Sequence, residues 1–191
     1  MHGFSYTVTM SDPFNASHLD VIAFAKSSAT LSGQDLLSKY ERLTEESSGM
    51  VTNQVVDWQA LGEYRKDSVG HGQPWIHLLV NARRPMICQR CLEPADICIA
   101  VNRSFRFVAD EDQAQAQDDE AEEDLLVISH DFDLKSLIED ELLLESPVVA
   151  KHETCPGKLK MAVLDPDFES SPGVEVNPFA VLGQLKNPKL G

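Results

Sequence analysis

The chain has 191 residues, 42% of them apolar and 25% charged, ordinary proportions for a globular protein with enough length to bury a core. Its net charge of −15 argues against broad binding to phosphate backbones, which needs lysine and arginine to replace counterions, and it suits basic protein partners. Four cysteines do not make a disulfide scaffold, the longest apolar run (21–25) is far short of a membrane span, and residues 1–10 carry no basic n-region; a cytoplasmic, reducing home without membrane contact is expected.

Taken in order, residues 1–9 read as an appendage, and Met10-Ser11-Asp12-Pro13-Phe14 as a natural second start. A single α+β domain is expected over 10–160, then a linker and C-terminal tail over 161–191. Residues 18–26 predict a short amphipathic helix on Leu19, Ile22, Ala23 and Phe24, capped by Asn15 or Ser17. A brief strand over 29–32 should end at Gly33. A second helix over 35–45 would carry Leu36, Leu37, Tyr40 and Leu43 along one stripe, with Asp35 near its start. The period then moves toward two. Residues 51–63 predict a strand interrupted near Asp57-Trp58, 66–74 a loop, and 75–82 the clearest strand. In the strand expected over 96–108, Ile97, Ile99, Val101, Phe105 and Phe107 share a face, with Arg103 the exception. Short turns between consecutive strands favour an antiparallel β-meander packed with a few short helices.

Residues 109–124 hold nine acids and no base, and read as a flexible acidic loop. A short strand is expected over 125–128. Asp133 then offers an N-cap for a helix to about Ser146, where Pro147 stops it. Leu134, Leu137, Ile138 and Leu142 form its inner stripe; Glu139, Asp140, Glu141 and Glu145 form its wet side. In the tail, Asn177 can cap, Pro178 suits the first helical position, and Phe179, Leu182 and Leu185 recur every three residues. That short amphipathic helix either docks on its own domain or inserts into a partner's groove.

Chemistry concentrates at Cys88-Gln89-Arg90-Cys91. Cys155 lies 64 residues after Cys91, three positions beyond His152. Cys88, Cys91, His152 and Cys155 form a candidate set of four ligands for structural zinc. Many metal knuckles carry glycine after the second cysteine; here Leu92 follows. A redox pair, and a turn of ordinary reduced, partly buried thiols, stay open beside the metal reading. Cys98 sits in an alternating strand. Arg83, Arg84, Arg90, Arg103 and Arg106 form a locally basic stretch, either an RNA-contacting side of the sheet or a solvated strand face. No nucleophile–base pair, phosphate loop or carboxylate cluster at metal spacing is visible, so no enzyme is expected.

Three ordered motifs carry a resemblance: Cys88-Gln89-Arg90-Cys91; Ile138-Glu139-Asp140-Glu141-Leu142-Leu143-Leu144 with Pro147-Val148-Val149 and His152; and Asn177-Pro178-Phe179-Ala180-Val181-Leu182. With Asp12-Pro13-Phe14 and Leu19-Asp20 near the start, they resemble the bacterial YceD family, the large ribosomal RNA subunit accumulation proteins. The resemblance implies a role in synthesis, processing or stability of 23S ribosomal RNA and supplies no catalytic residue. The expected partner is a ribosomal or rRNA-processing protein, or a ribosomal precursor particle. Direct RNA binding through the arginines is the alternative, and a nuclease or redox enzyme the remote one.

Overall fold

Period-two alternation sets the architecture. In the computed structural model, which describes residues 14–46, 53–66, 70, 72–157 and 179, five strands form one sheet in chain order. β1 (Thr30–Leu36), β2 (Val55–Lys66), β3 (Gly72–Ile87) and β4 (Pro94–Val108) make the antiparallel meander. β5 (Asp124–Val127) pairs in parallel with the end of β4, so the sheet is mixed. A parallel return needs a long connection, and residues 109–123 supply it. Four short helices complete the α+β fold: α1 (Val21–Lys26), α2 (Glu41–Glu46), α3 (Glu111–Gln117) and α4 (Leu134–Glu145). Residues 14–157 fall within one compact unit. Residues 1–13 and the tail positions Asn177, Pro178, Leu182 and Leu185 lie outside the described residues; the Phe179 side chain is largely exposed.

One face of the sheet carries the core. Val56, Trp58, Ala60, Ile76, Leu78, Val80, Ile99, Val101, Phe105 and Phe107 are buried there with Phe24 of α1. The α4 stripe of Leu134, Leu137, Ile138 and Leu142 joins them as its spacing requires. One acid on α4 departs from expectation. Glu141, assigned to the wet side, is 4% exposed, and its Oε2 lies 3.1 Å from Arg103 Nε. Arg103 is the polar interruption in β4's apolar face, and Glu141 is the charge set against it.

Several local departures share a cause in Trp58. β1 runs through Gly33 to Leu36, and β2 is unbroken at Asp57-Trp58. A Cβ at Gly33 would sit 2.6 Å from the Trp58 ring, so the glycine is a slot for the indole and does not end the strand. Asp35 is therefore a strand residue turned inward, where Trp58 Nε1 donates to its Oδ2 at 2.8 Å. The helix expected from 35 shrinks to a 3-10 turn, Leu37–Lys39, followed by α2. α1 is capped by Asp20, which accepts from Ala23 N at 2.9 Å, and not by Asn15 or Ser17.

The acidic run is not simply a loop. Asp110 caps α3 by accepting from Gln113 N at 2.8 Å, and Glu111 and Asp112 occupy the first turn, where the helix dipole favours them. Arg106 holds Gln117 Oε1 at 2.7 Å and pairs with Glu123, which ties the run to β4.

Asp35 is 8% exposed and gathers Trp58, Lys135, Lys39 and Tyr40 around its carboxylate. Burial pushes its pKa up, but hydrogen bonds from Lys135 and Trp58 outweigh that and hold it below the ordinary value of 3.8. A carboxyl depressed in the folded state stabilises the fold above its unfolded pKa, and the contribution is lost as pH falls through the folded one. Asp35→Asn should cost about 2–3 kcal/mol near neutral pH, because Lys135 loses its buried partner. It should also flatten the acid limb of stability below about pH 4. Urea melts of both chains across acid pH check this.

Candidate metal centre

The centre begins as a hairpin turn. Ile87 pairs with Pro94, and residues 88–93 join β3 to β4. Cys88 N donates to Glu93 O at 2.9 Å and Leu92 N to Cys88 O at 2.8 Å, which folds the turn back on Cys88. Leu92 takes the left-handed conformation, φ 64°, that glycine adopts more freely.

The second half arrives after α4. Pro147 ends the helical run, and the extended chain returns along the turn, where Gln89 N donates to Ala150 O at 2.8 Å. Arg90 extends this contact: its guanidinium donates to His152 O at 3.0 Å, to Glu153 O at 3.3 Å and to Cys155 Sγ at 3.0 Å. His152 N reaches Cys88 Sγ at 3.5 Å.

One ligand atom from each of Cys88, Cys91, His152 and Cys155 then lies within 4.8 Å of every other. Cys88 Sγ is 3.9 Å from Cys155 Sγ, and Cys91 Sγ is 3.4 Å from His152 Nδ1. Tetrahedral zinc with ordinary bond lengths sets its sulfurs about 3.8 Å apart and its sulfur–nitrogen edge at about 3.5 Å. The histidine is oriented for this. His152 Nε2 lies 2.9 Å from Pro94 O, which needs a proton on Nε2 and leaves the lone pair on Nδ1, facing Cys91.

The electrostatics favour thiolate at Cys88. Burial pushes the Cys88 thiol up, but the backbone N–H groups of His152, Cys91 and Arg90 hold it at about 5. The backbone N–H of Glu93 pulls Cys91 down, yet burial and the nearby Cys155 and Cys88 outweigh it and push Cys91 up. Crowded thiols cannot all ionise alone; a dication would remove the remaining protons. The site is compatible with zinc in a Cys3His set. The redox reading finds no support in local structure, since the pair closes a hairpin turn and opens no helix. Cys98 is exposed on the opposite side of β4 from the buried residues.

The five arginines do not share a surface. Arg83 and Arg84 are consecutive in β3, so their side chains leave on opposite faces. Arg83 is exposed, whereas Arg84 is 0% exposed and donates to Ser146 Oγ at 2.9 Å and to Leu43 O at 3.4 Å. Arg103 lies on the helix-covered face, paired with Glu141 and, at 3.2 Å, with Asp124. Arg106, on the other face, is spent on Glu123 and Gln117, and Arg90 on the metal centre. The expectation of one RNA-contacting arginine side is corrected: strand parity and internal pairing divide the group.

Sequence reasoning misses two supports of the centre. Arg90's role has a visible signal, a cation inside the Cys-x-x-Cys. The Pro94 carbonyl that sets the His152 tautomer has none. A cavity of about 680 Å³ elsewhere is lined by Asp35, Lys39, Tyr40, Arg42, Lys135 and Glu139. Glu41 and Asp133 line it too; Asp35 is matched by Lys135 and Lys39, Glu139 by Arg42 at 3.0 Å, and Asp133 caps α4, so cations and engaged carboxylates alternate along it. Among the described residues, no helix is long and apolar enough to cross a membrane.

Leu92 is 73% exposed, so its side chain adds little packing while its backbone sits in the left-handed region. Leu92→Gly should leave the turn intact and shift stability by no more than about 1 kcal/mol, toward greater stability where strain relief exceeds the added chain entropy. Denaturant melts of both chains check it; a loss above about 2 kcal/mol would show a packing role for the side chain.

The model of the family described as "Large ribosomal RNA subunit accumulation protein YceD" matches residues 76–186. No solved structure matches the chain. The family match covers more than half of the sequence and takes in the hairpin turn, α4 and all four converging donors, so the chain belongs to the YceD family of large ribosomal RNA subunit accumulation proteins.

Proposed function

We propose that this protein is a non-enzymatic factor that supports 23S ribosomal RNA in the cytoplasm by binding a ribosomal or processing protein or a precursor particle. A structural zinc ion at Cys88, Cys91, His152 and Cys155 closes its fold. The family name points to accumulation of large-subunit ribosomal RNA. One observation supports the mechanism: four donor atoms converge within 4.8 Å of one another, the number that a closed tetrahedral zinc site needs. A catalytic zinc keeps one position open for water or substrate, and a closed set does not. The ion would then act by holding chain segments together. Arg90 would balance the single negative charge of a three-thiolate zinc site, and Pro94 would keep His152 in its ligating tautomer.

Protein purified without added metal under reducing conditions should contain one zinc per chain by elemental analysis. Cys88→Ser should lose the ion and about 3 kcal/mol or more of stability, while Cys98→Ser keeps both. Cells lacking the gene should accumulate less 23S relative to 16S ribosomal RNA, and the wild-type chain but not Cys88→Ser should restore it. Absence of metal would remove the zinc. Cleavage of precursor RNA by the pure protein, abolished by one substitution that leaves the metal bound, would replace the binding factor with an enzyme.

A further inference from the structure

Large apolar side chains are exposed unevenly over the molecule. Among the described residues from 14 to 157, the four most exposed are Val148 at 99%, Leu92 at 73%, Leu144 at 70% and Val149 at 59%. Leu92 lies in the hairpin turn; the others lie between the last turn of α4 and Ala150. These two stretches meet at the metal centre, where Gln89 N holds Ala150 O and His152 N reaches Cys88 Sγ. Single exposed apolar residues are ordinary on a monomer, but a concentration of them at one place marks an interaction surface.

We propose that Leu92, Leu144, Val148 and Val149 form a docking surface for another protein, one that presents apolar anchors flanked by lysine or arginine, and that metal binding assembles the surface. The proposal rests on the reading that the protein works by capturing a partner, and it names the face that does so. Charge selects the occupant. Glu93, Glu145 and Glu153 are exposed beside these residues against Lys151, which leaves the local balance acidic, and the chain as a whole carries −15. The Arg90 guanidinium is already occupied by Cys155 and two carbonyls. Phosphates would be repelled by these carboxylates and would gain nothing from valines; a basic, apolar-anchored protein segment is matched on both counts. The metal dependence follows from position: Leu92 and Val149 belong to different segments, and the four ligands hold those segments together.

The test uses the full zinc-loaded chain and two labelled synthetic peptides of leucine and lysine. One is an amphipathic helix; the other has the same composition scrambled to remove the apolar face. Fluorescence anisotropy should show the amphipathic peptide binding at least about tenfold tighter. Val148→Ser/Val149→Ser, and separately Leu92→Ser, should melt like the parent and lose about tenfold for that peptide alone, and zinc chelation should do the same. Leu79→Ser, on the uncovered sheet face, should change nothing. Equal binding of both peptides, or unaltered affinity in both variants, would overturn the proposal. So would a short oligouridine that displaces the peptide and is itself weakened by the variants, or a dimer of this chain that the variants split. Zinc content and 23S ribosomal RNA levels are read separately, so loss of the surface and loss of the functional reading are distinguishable.

Discussion

The tether between the Cys88 turn and the chain returning at 150–155 is the contact on which the end of this fold depends. Of residues 147–155, only Ala150 is fully buried. Apolar burial therefore does little to hold the segment, and a few hydrogen bonds to exposed backbone are weak against the conformational entropy of the segment. The buried Arg84 prepares the return by donating to Ser146 Oγ at the end of α4. Gln89 then takes the Ala150 carbonyl, and Arg90 takes those of His152 and Glu153. The donors complete what these bonds begin, and a bound ion would convert a marginal contact into a fixed one.

A second constraint acts on α4. Its apolar stripe would pack on the sheet over a range of rotations, because leucine and isoleucine are tolerant partners. The ion pairs are less tolerant. Lys135 reaches Asp35 of β1, Glu139 reaches Arg42 of α2, and Glu141 reaches Arg103 of β4. Three pairs in different directions fix the helix about its axis and along its length. Burial raises the Glu141 pKa while Arg103 draws it back down, so this pair sets orientation more than it adds net stability. The rotation matters for the metal centre, because α4 determines where Pro147 releases the chain toward Cys88.

Much of this was legible in the residues, and the misreadings have physical causes. The β4 alternation and the α4 boundaries followed from period and capping, and the structure keeps both. The four donors converge as their chemistry suggested, although a gap of 64 residues carries no geometric information by itself. The arginine group failed because charges counted along a window ignore strand parity: Arg83 and Arg84 had to diverge. Composition alone made 109–124 a loop, while Asp110 followed by two acids is also a helix start. Gly33 ended a strand on propensity, but it serves a tryptophan that lies 25 positions later. No local signal reports a ring that packs from another strand.

The four-donor set also bears on how a bound metal could act in this protein. A tetrahedron filled by protein ligands offers no open position for a reacting group, so its influence on anything outside the protein must pass through shape. The shape it controls is limited: the hairpin turn, the segment after α4, and the side chains these carry. Val148 and Leu92 face solvent there, while the core lies on the covered face of the sheet. The core therefore sets where the two segments start, and a bound ion would set where they finish. Leu36 and Leu79 are also exposed, on the sheet, but Val148 and Leu92 are more so and lie on the two segments that meet. Polar residues at Val148 and Leu92 would cost the core nothing, because neither side chain is part of it.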